Sequence, residues 1–125
     1  MDENSVSREI IGAAIEVHKS LGPGLLESAY QECLGRELTL QGIAFEKEKP
    51  LPLNYKGLNL DCGYRVDFLV ENLVAVELKA VEKILSIHQA QVLTYLKLLD
   101  LKLGILLNFN VPMLREGIKR IALKL

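Results

Sequence analysis

The sequence contains no tryptophan, only three phenylalanines and four tyrosines among 125 residues. Aromatic packing therefore cannot dominate its interior, and with 25 leucines the core must be aliphatic. Two cysteines, Cys33 and Cys62, are too few for a disulfide framework, and neither has Cys or His partners at metal-ligand spacing. They read as small apolar side chains. No apolar run approaches the roughly 20 residues that span a bilayer. Residues 1–9 are polar and acidic, unlike a signal peptide. No membrane association and a cytoplasmic location are the expectations. No repeat, low-complexity tract or linker interrupts the chain, so residues 1–125 are expected to form one domain.

What is present is a chain 50% hydrophobic and 25% charged, enough to build a core and against long disorder. The formal net charge of −1 does not advertise nucleic-acid binding, but the charge is uneven. Residues 1–80 hold 8 Lys and Arg against 13 Asp and Glu, whereas residues 81–125 hold 7 against 3. The basic C-terminal third offers a local phosphate-binding surface, although a solvated face with chance asymmetry is the plainer account.

Apolar residues recur at helical spacing through Ile10, Ile11, Ala14, Ile15, Val17 and Leu21, predicting a helix over 4–21. Asn4, Ser5 or Ser7 is available to cap it, without a capping box. Gly22-Pro23-Gly24 stops it, and a second helix follows over about 25–41, closed by Gly42. The period then changes to two. Residues 43–55 read as an exposed edge strand, with Pro52 keeping it off the sheet centre. Lys56-Gly57 turns the chain into a strand over 58–70, bent near Gly63. A third strand spans 73–79. A helix runs from Ser86, with Gln89 completing a capping box, to about Leu99. The apolar stretch 101–108 is a buried strand, and 114–123 is read as a final one. The order α-α-β-β-β-α-β-β implies an α/β fold with a mixed, α+β-like central sheet.

Chemistry concentrates on two otherwise apolar segments, Tyr64-Arg65-Val66-Asp67-Phe68-Leu69-Val70 and Leu73-Val74-Ala75-Val76-Glu77-Leu78-Lys79. Strand alternation points Glu77 and Lys79 to one face and Val74, Val76 and Leu78 to the other. In a hairpin whose paired residue numbers sum to 144, Asp67 lies opposite Glu77, with Cβ atoms about 4.5–5.5 Å apart. A two-residue turn pairing Val70 with Leu73 would instead put them on opposite faces. Two carboxylates so close repel unless a cation joins them, and their oxygens suit a hard ion such as Mg²⁺. Lys79 is then placed to orient water or offset charge on a phosphate. The competing account is an interstrand ion cluster in which Lys79 neutralises both acids. Polar groups on such hydrophobic strands cost burial energy and demand a reason.

Asp67, followed ten residues later by Glu77-Leu78-Lys79, resembles the PD-(D/E)XK nuclease superfamily, with Val66 standing where a Pro is usual. Gln91-Val92-Leu93-Thr94-Tyr95 resembles the Gln-x-x-x-Tyr helix motif found after the Lys in recombination helicase–nucleases. Upstream, Gly24-Leu25-Leu26-Glu27-Ser28-Ala29-Tyr30 matches the signature of the GxxExxY family, small prokaryotic proteins of that superfamily. The resemblance extends from about Val6 to Leu123. It implies a restriction-endonuclease-like core and a metal-activated water that hydrolyses a phosphodiester, in DNA rather than RNA. Mg²⁺ or Mn²⁺ would be held by Asp67, Glu77, the Leu78 carbonyl and Glu27. Lys79, Gln91 and Tyr95 would complete the catalytic set, with Gln91 and Tyr95 near the metal or the backbone of the substrate. Glu27 reads equally as a first-turn acid complementing the helix dipole, and Tyr95 equally as a core tyrosine. His88 reads as a surface residue and His18 as half-buried scaffold.

A different class of function keeps this fold as a non-catalytic module that binds a protein or nucleic acid. The lack of a strongly basic surface or a Trp platform favours it, and the Asp67–Glu77–Lys79 set opposes it. A homodimer or a helper protein would help so small a chain grip a duplex, and the apolar stretch 101–107 is expected near such an interface.

Overall fold

Asp2, not a residue further on, starts the first helix. Its carboxylate accepts the Ser5 N–H at 2.8 Å while the Ser5 hydroxyl accepts the Asp2 N–H at 3.1 Å, a reciprocal capping box. The helix α1 spans Glu3–Leu21 and buries Val6, Ile10, Ala13, Ala14 and Val17 along one stripe. Gly22 ends it with φ 69°, donating its N–H to the His18 carbonyl. The second helix, α2, spans Glu27–Leu40 and buries Tyr30, Leu34 and Leu38. The computed structural model describes residues 1–124.

The three strands expected before the last helix are five. The chain forms β1 (Phe45–Pro50), β2 (Leu53–Tyr55), β3 (Leu58–Leu60), β4 (Arg65–Val70) and β5 (Val74–Lys79). The expected strands over 43–55 and 58–70 are each cut in two. Pro52 has no N–H to give a ladder, and Gly63 takes φ 74°. The freed middle folds into a separate β2–β3 hairpin around Lys56-Gly57. Then come α3 (Ser86–Leu99), β6 (Leu103–Asn108), a 3-10 turn at Leu114–Gly117, and β7 (Ile118–Ala122). Helix α3 is opened by His88 rather than Gln89. The His88 Nδ1 accepts the Leu85 N–H at 3.0 Å.

The main sheet runs β1-β4-β5-β6-β7, parallel only between β5 and β6, the two strands that α3 connects. This is the mixed α/β architecture expected. Helices α1 and α2 cover one face, where Phe68, Val70, Val74, Val76, Leu78, Leu103, Ile105 and Leu107 join their apolar stripes. Helix α3 covers the other, where Leu96 meets Val66, Ala75 and Leu51. It sits directly on Gly104, where a Cβ would come within 2.6 Å of the Val92 side chain. The apolar residues of the stretch 101–107 are used within the fold. Strand β6 lies inside the sheet with every residue buried, because its apolar side chains serve both helical layers. No helix among the described residues is long and apolar enough to cross a membrane.

Candidate active site

A three-residue loop sets the hairpin register. Glu71 and Asn72 take left-handed backbone, φ 53° and 55°, and Glu71 is tied to Ala44 through both its N–H and its carboxylate. Val70 consequently pairs with Val74, Leu69 with Ala75 and Phe68 with Val76. This is the register that sums to 144, and it carries Asp67 to Glu77.

There the backbone ladder gives way to side chains. The Asp67 N–H donates to Glu77 Oε1 at 3.2 Å, and Asp67 Oδ2 accepts the Leu78 N–H at 2.7 Å. Facing alternation also breaks at this point. Val66 packs on the α3 face, whereas Phe68, two residues on, packs on the α1–α2 face. The strands part around Asp67, so both helical layers reach the gap.

From the α1–α2 side, Gln31 Nε2 donates to Asp67 Oδ1 at 3.1 Å. Glu27, one turn earlier on α2, is close enough to feel the charges of Asp67 and Lys79. From the α3 side, Tyr95 feels Glu77 and Asp67. Lys79 acts electrostatically on Glu27, Asp67 and Glu77 without pairing to any of them. The ion pairs among the described residues are Lys19–Glu16, Lys47–Glu32 and Lys49–Glu46, so the neutralised interstrand cluster does not form.

The result is a half-buried, electron-rich gap. Burial, and next the Asp67 charge, push the Glu77 carboxyl up to about 8. Burial also raises Asp67, against the lowering pull of the Leu78 N–H. Glu27 is raised by burial and then by Asp67. The Tyr95 hydroxyl is raised by burial and then by Glu77. Asp67 and Glu77 therefore act on each other as well as on the backbone between them.

Among the described residues no three carboxylates or imidazoles converge into a ready cation cage. Asp67 and Glu77 would supply one or two oxygens to a hard divalent ion that draws its remaining ligands from water and a phosphate. Leu78 meets Asp67 through its N–H, which donates to the carboxylate. Gln91 is exposed on α3 and has no hydrogen bond to the carboxylates among the described residues. It lines a groove with Tyr95, Tyr64 and Leu51 instead.

The Gly24–Tyr30 signature divides its labour. Tyr30 is fully buried and stacks on Phe109 at 4.5 Å. Its hydroxyl donates to the Gly22 carbonyl at 2.6 Å and accepts the Leu25 N–H at 3.1 Å. Gly24 takes φ 100°. Both build the loop that delivers Glu27 to the gap. His18 is likewise scaffold, more buried than expected, with Nε2 2.9 Å from the Val111 carbonyl oxygen.

Two neighbours escaped the sequence reading. Gln31 could have been found from its place four residues after Glu27. Glu48 could have been found only from register. It falls opposite Asp67 between the pairs Lys47–Phe68 and Lys49–Val66, adopts φ 54°, and adds negative charge near Asp67. No curated protein and no solved structure matches the chain. The mixed sheet agrees with the family comparison: residues 4–121 match the model of the PD-(D/E)XK nuclease superfamily, to which this chain belongs.

Proposed function

We propose that this chain is a Mg²⁺- or Mn²⁺-dependent phosphodiesterase of the GxxExxY group, hydrolysing nucleic acid, DNA before RNA, as one domain over residues 1–125. The observation that carries the reading is the pair Asp67 and Glu77, bridged by the Asp67 N–H, half-buried with raised pKa values, and in no ion pair among the described residues. A binding module gains nothing from two desolvated carboxylates kept in mutual repulsion.

Asp67 and Glu77 would hold the ion, with the Leu78 peptide fixing Asp67 and with Glu27 reached through water. Bound there, a divalent ion supplies Lewis acidity to a phosphate oxygen and acidifies a water. Lys79, in no ion pair among the described residues, orients the attacking water and offsets charge on the phosphate. Tyr95 holds the substrate backbone beside the acids, and Gln91 contacts the strand further along.

Thermal melts test the ion. Ligand linkage raises the melting temperature of wild type with Mg²⁺ or Mn²⁺ and not that of Asp67→Ala. Equal responses would move the ion elsewhere. Cleavage of single-stranded DNA, duplex DNA and RNA in Mn²⁺ tests the reaction, and silence on all three would return the chain to the binding-module class.

A further inference from the structure

Beside the carboxylate gap lies a groove of about 360 Å³, walled by Leu51, Leu53 and Leu98 and by the rings of Tyr64 and Tyr95. Its volume falls in the range of roughly 300–1,000 Å³ typical of small-ligand sites. The polar groups along it are neutral: the Gln91 amide, the Thr94 hydroxyl and the two phenols. No lysine, arginine, aspartate or glutamate lines it. A phosphate therefore finds no counter-charge in the groove. A flat, uncharged ligand with hydrogen-bonding edges finds an apolar wall, aromatic faces, and an amide offering both donor and acceptor.

Tyr95 is common to groove and site: it lines the first and feels the charges of Asp67 and Glu77 in the second. Tyr64 stands at its rim, 54% exposed, on the bend where Gly63 takes φ 74° just before β4. It is near enough to Tyr95 to affect that hydroxyl.

Resting on the phosphodiesterase reading, we propose that this groove takes one unpaired nucleobase of the strand whose adjacent phosphate lies at Asp67 and Glu77. Tyr64 is its stacking face. A base can enter only when it is out of a duplex, so the groove makes the chain selective for single-stranded or frayed nucleic acid. Stacking on an aromatic face tolerates any base, so the selection is for strandedness and not for sequence.

The test reads binding apart from cleavage. The full chain is titrated in Ca²⁺ with a fluorescent single-stranded DNA 8-mer, the same strand with one abasic position scanned along it, the duplex, and the RNA of the same sequence. One abasic position is expected to weaken binding about tenfold, with the duplex weaker still. Tyr64→Ala is expected to erase that difference and Tyr64→Phe to keep it. Between DNA and RNA, the strand with the larger intact-to-abasic ratio is the natural ligand. Equal affinity for intact and abasic strands, or a difference that survives Tyr64→Ala, overturns the inference while Mn²⁺-dependent cleavage, measured separately, still stands. Failure to bind any strand overturns it as well. Binding as described with no cleavage under Mn²⁺ supports the groove and removes only the phosphodiesterase reading.

Discussion

The β4–β5 hairpin has two unlike ends. Near its turn, Phe68, Val70, Val74 and Val76 are fully buried in a regular ladder. At its far end, Asp67 and Glu77 replace ladder bonds with carboxylate bonds, and both carboxyls are raised by burial. The apolar end gains from every contact it makes. The acidic end opposes closure, since burial and repulsion both act against it. The first end holds the strands together strongly enough for the second to stay parted.

The largest expected effect lies at the apolar end. Phe68 is wholly buried and meets Phe45 edge-on at 5.5 Å. Phe68→Ala should cost about 3–5 kcal/mol, read as a lower urea midpoint with little change in slope. Asp67→Asn, one residue away, should cost far less in chelator, because the amide oxygen still accepts the Leu78 N–H and the lost repulsion offsets the lost bond from Gln31. If Asp67→Asn were the more damaging change, the acidic end would be a stabilising network and the contrast would be false.

The second effect is on chemistry. Lys79→Ala should reduce Mn²⁺-dependent cleavage by about 10²–10³ while the metal-induced rise in melting temperature persists. Lys79 is a cation without an ion-pair partner among the described residues, so its loss removes nothing that attracts the metal. Cleavage as fast as wild type would place the reaction elsewhere.

The sequence made the acidic end legible because its signal is chemical. Asp67, Glu77 and Lys79 stand out on apolar strands, and one register rule brings the acids together. The superfamily and mixed sheet were legible from the same residues. Gln31 is legible only through Glu27, whose helix face it shares, and Glu48 not at all, because its role arises from an irregular β1 that local pattern does not encode. The breaks within 43–55 and within 58–70 are hidden because Pro52 and Gly63 end ladders that alternation alone would continue. The burial of β6 hid behind a composition that suits an interface equally well.

A third expectation concerns pH. In chelator, Glu77 has a folded pKa of about 8 against an ordinary 4.5. The folded state therefore holds its proton more tightly than the unfolded chain. This contribution to stability is fully present below about pH 4.5 and is lost as pH rises through 8. The melting temperature should fall by roughly 5 °C between pH 5.5 and 8.5, a response that Glu77→Gln flattens. Mg²⁺ should also flatten it, since the ion takes the proton's place. A melting temperature that rises over this interval would mean that Glu77 is ionised and satisfied without metal, removing the tension that distinguishes the two ends.

The smallest effect lies one layer out, in the loop that carries Glu27. The Tyr30 hydroxyl is the clamp on that loop, bonded to Gly22 and Leu25, while its ring stays stacked on Phe109 whether or not the hydroxyl is present. Tyr30→Phe keeps the ring and deletes the clamp, so about 1 kcal/mol of stability should go and the fold should remain. Glu27→Gln is the matched control. It leaves the clamp and changes only the charge that faces Asp67 and Lys79. If loop geometry places Glu27, Tyr30→Phe should lower both melting temperature and cleavage severalfold, and Glu27→Gln should lower cleavage alone. With both changes together, cleavage should fall little below that of Glu27→Gln, because a loosened loop has no carboxylate left to misplace. Fully multiplicative losses would show that Tyr30 and Glu27 act separately, and the Gly24–Tyr30 signature would then be two features rather than one device.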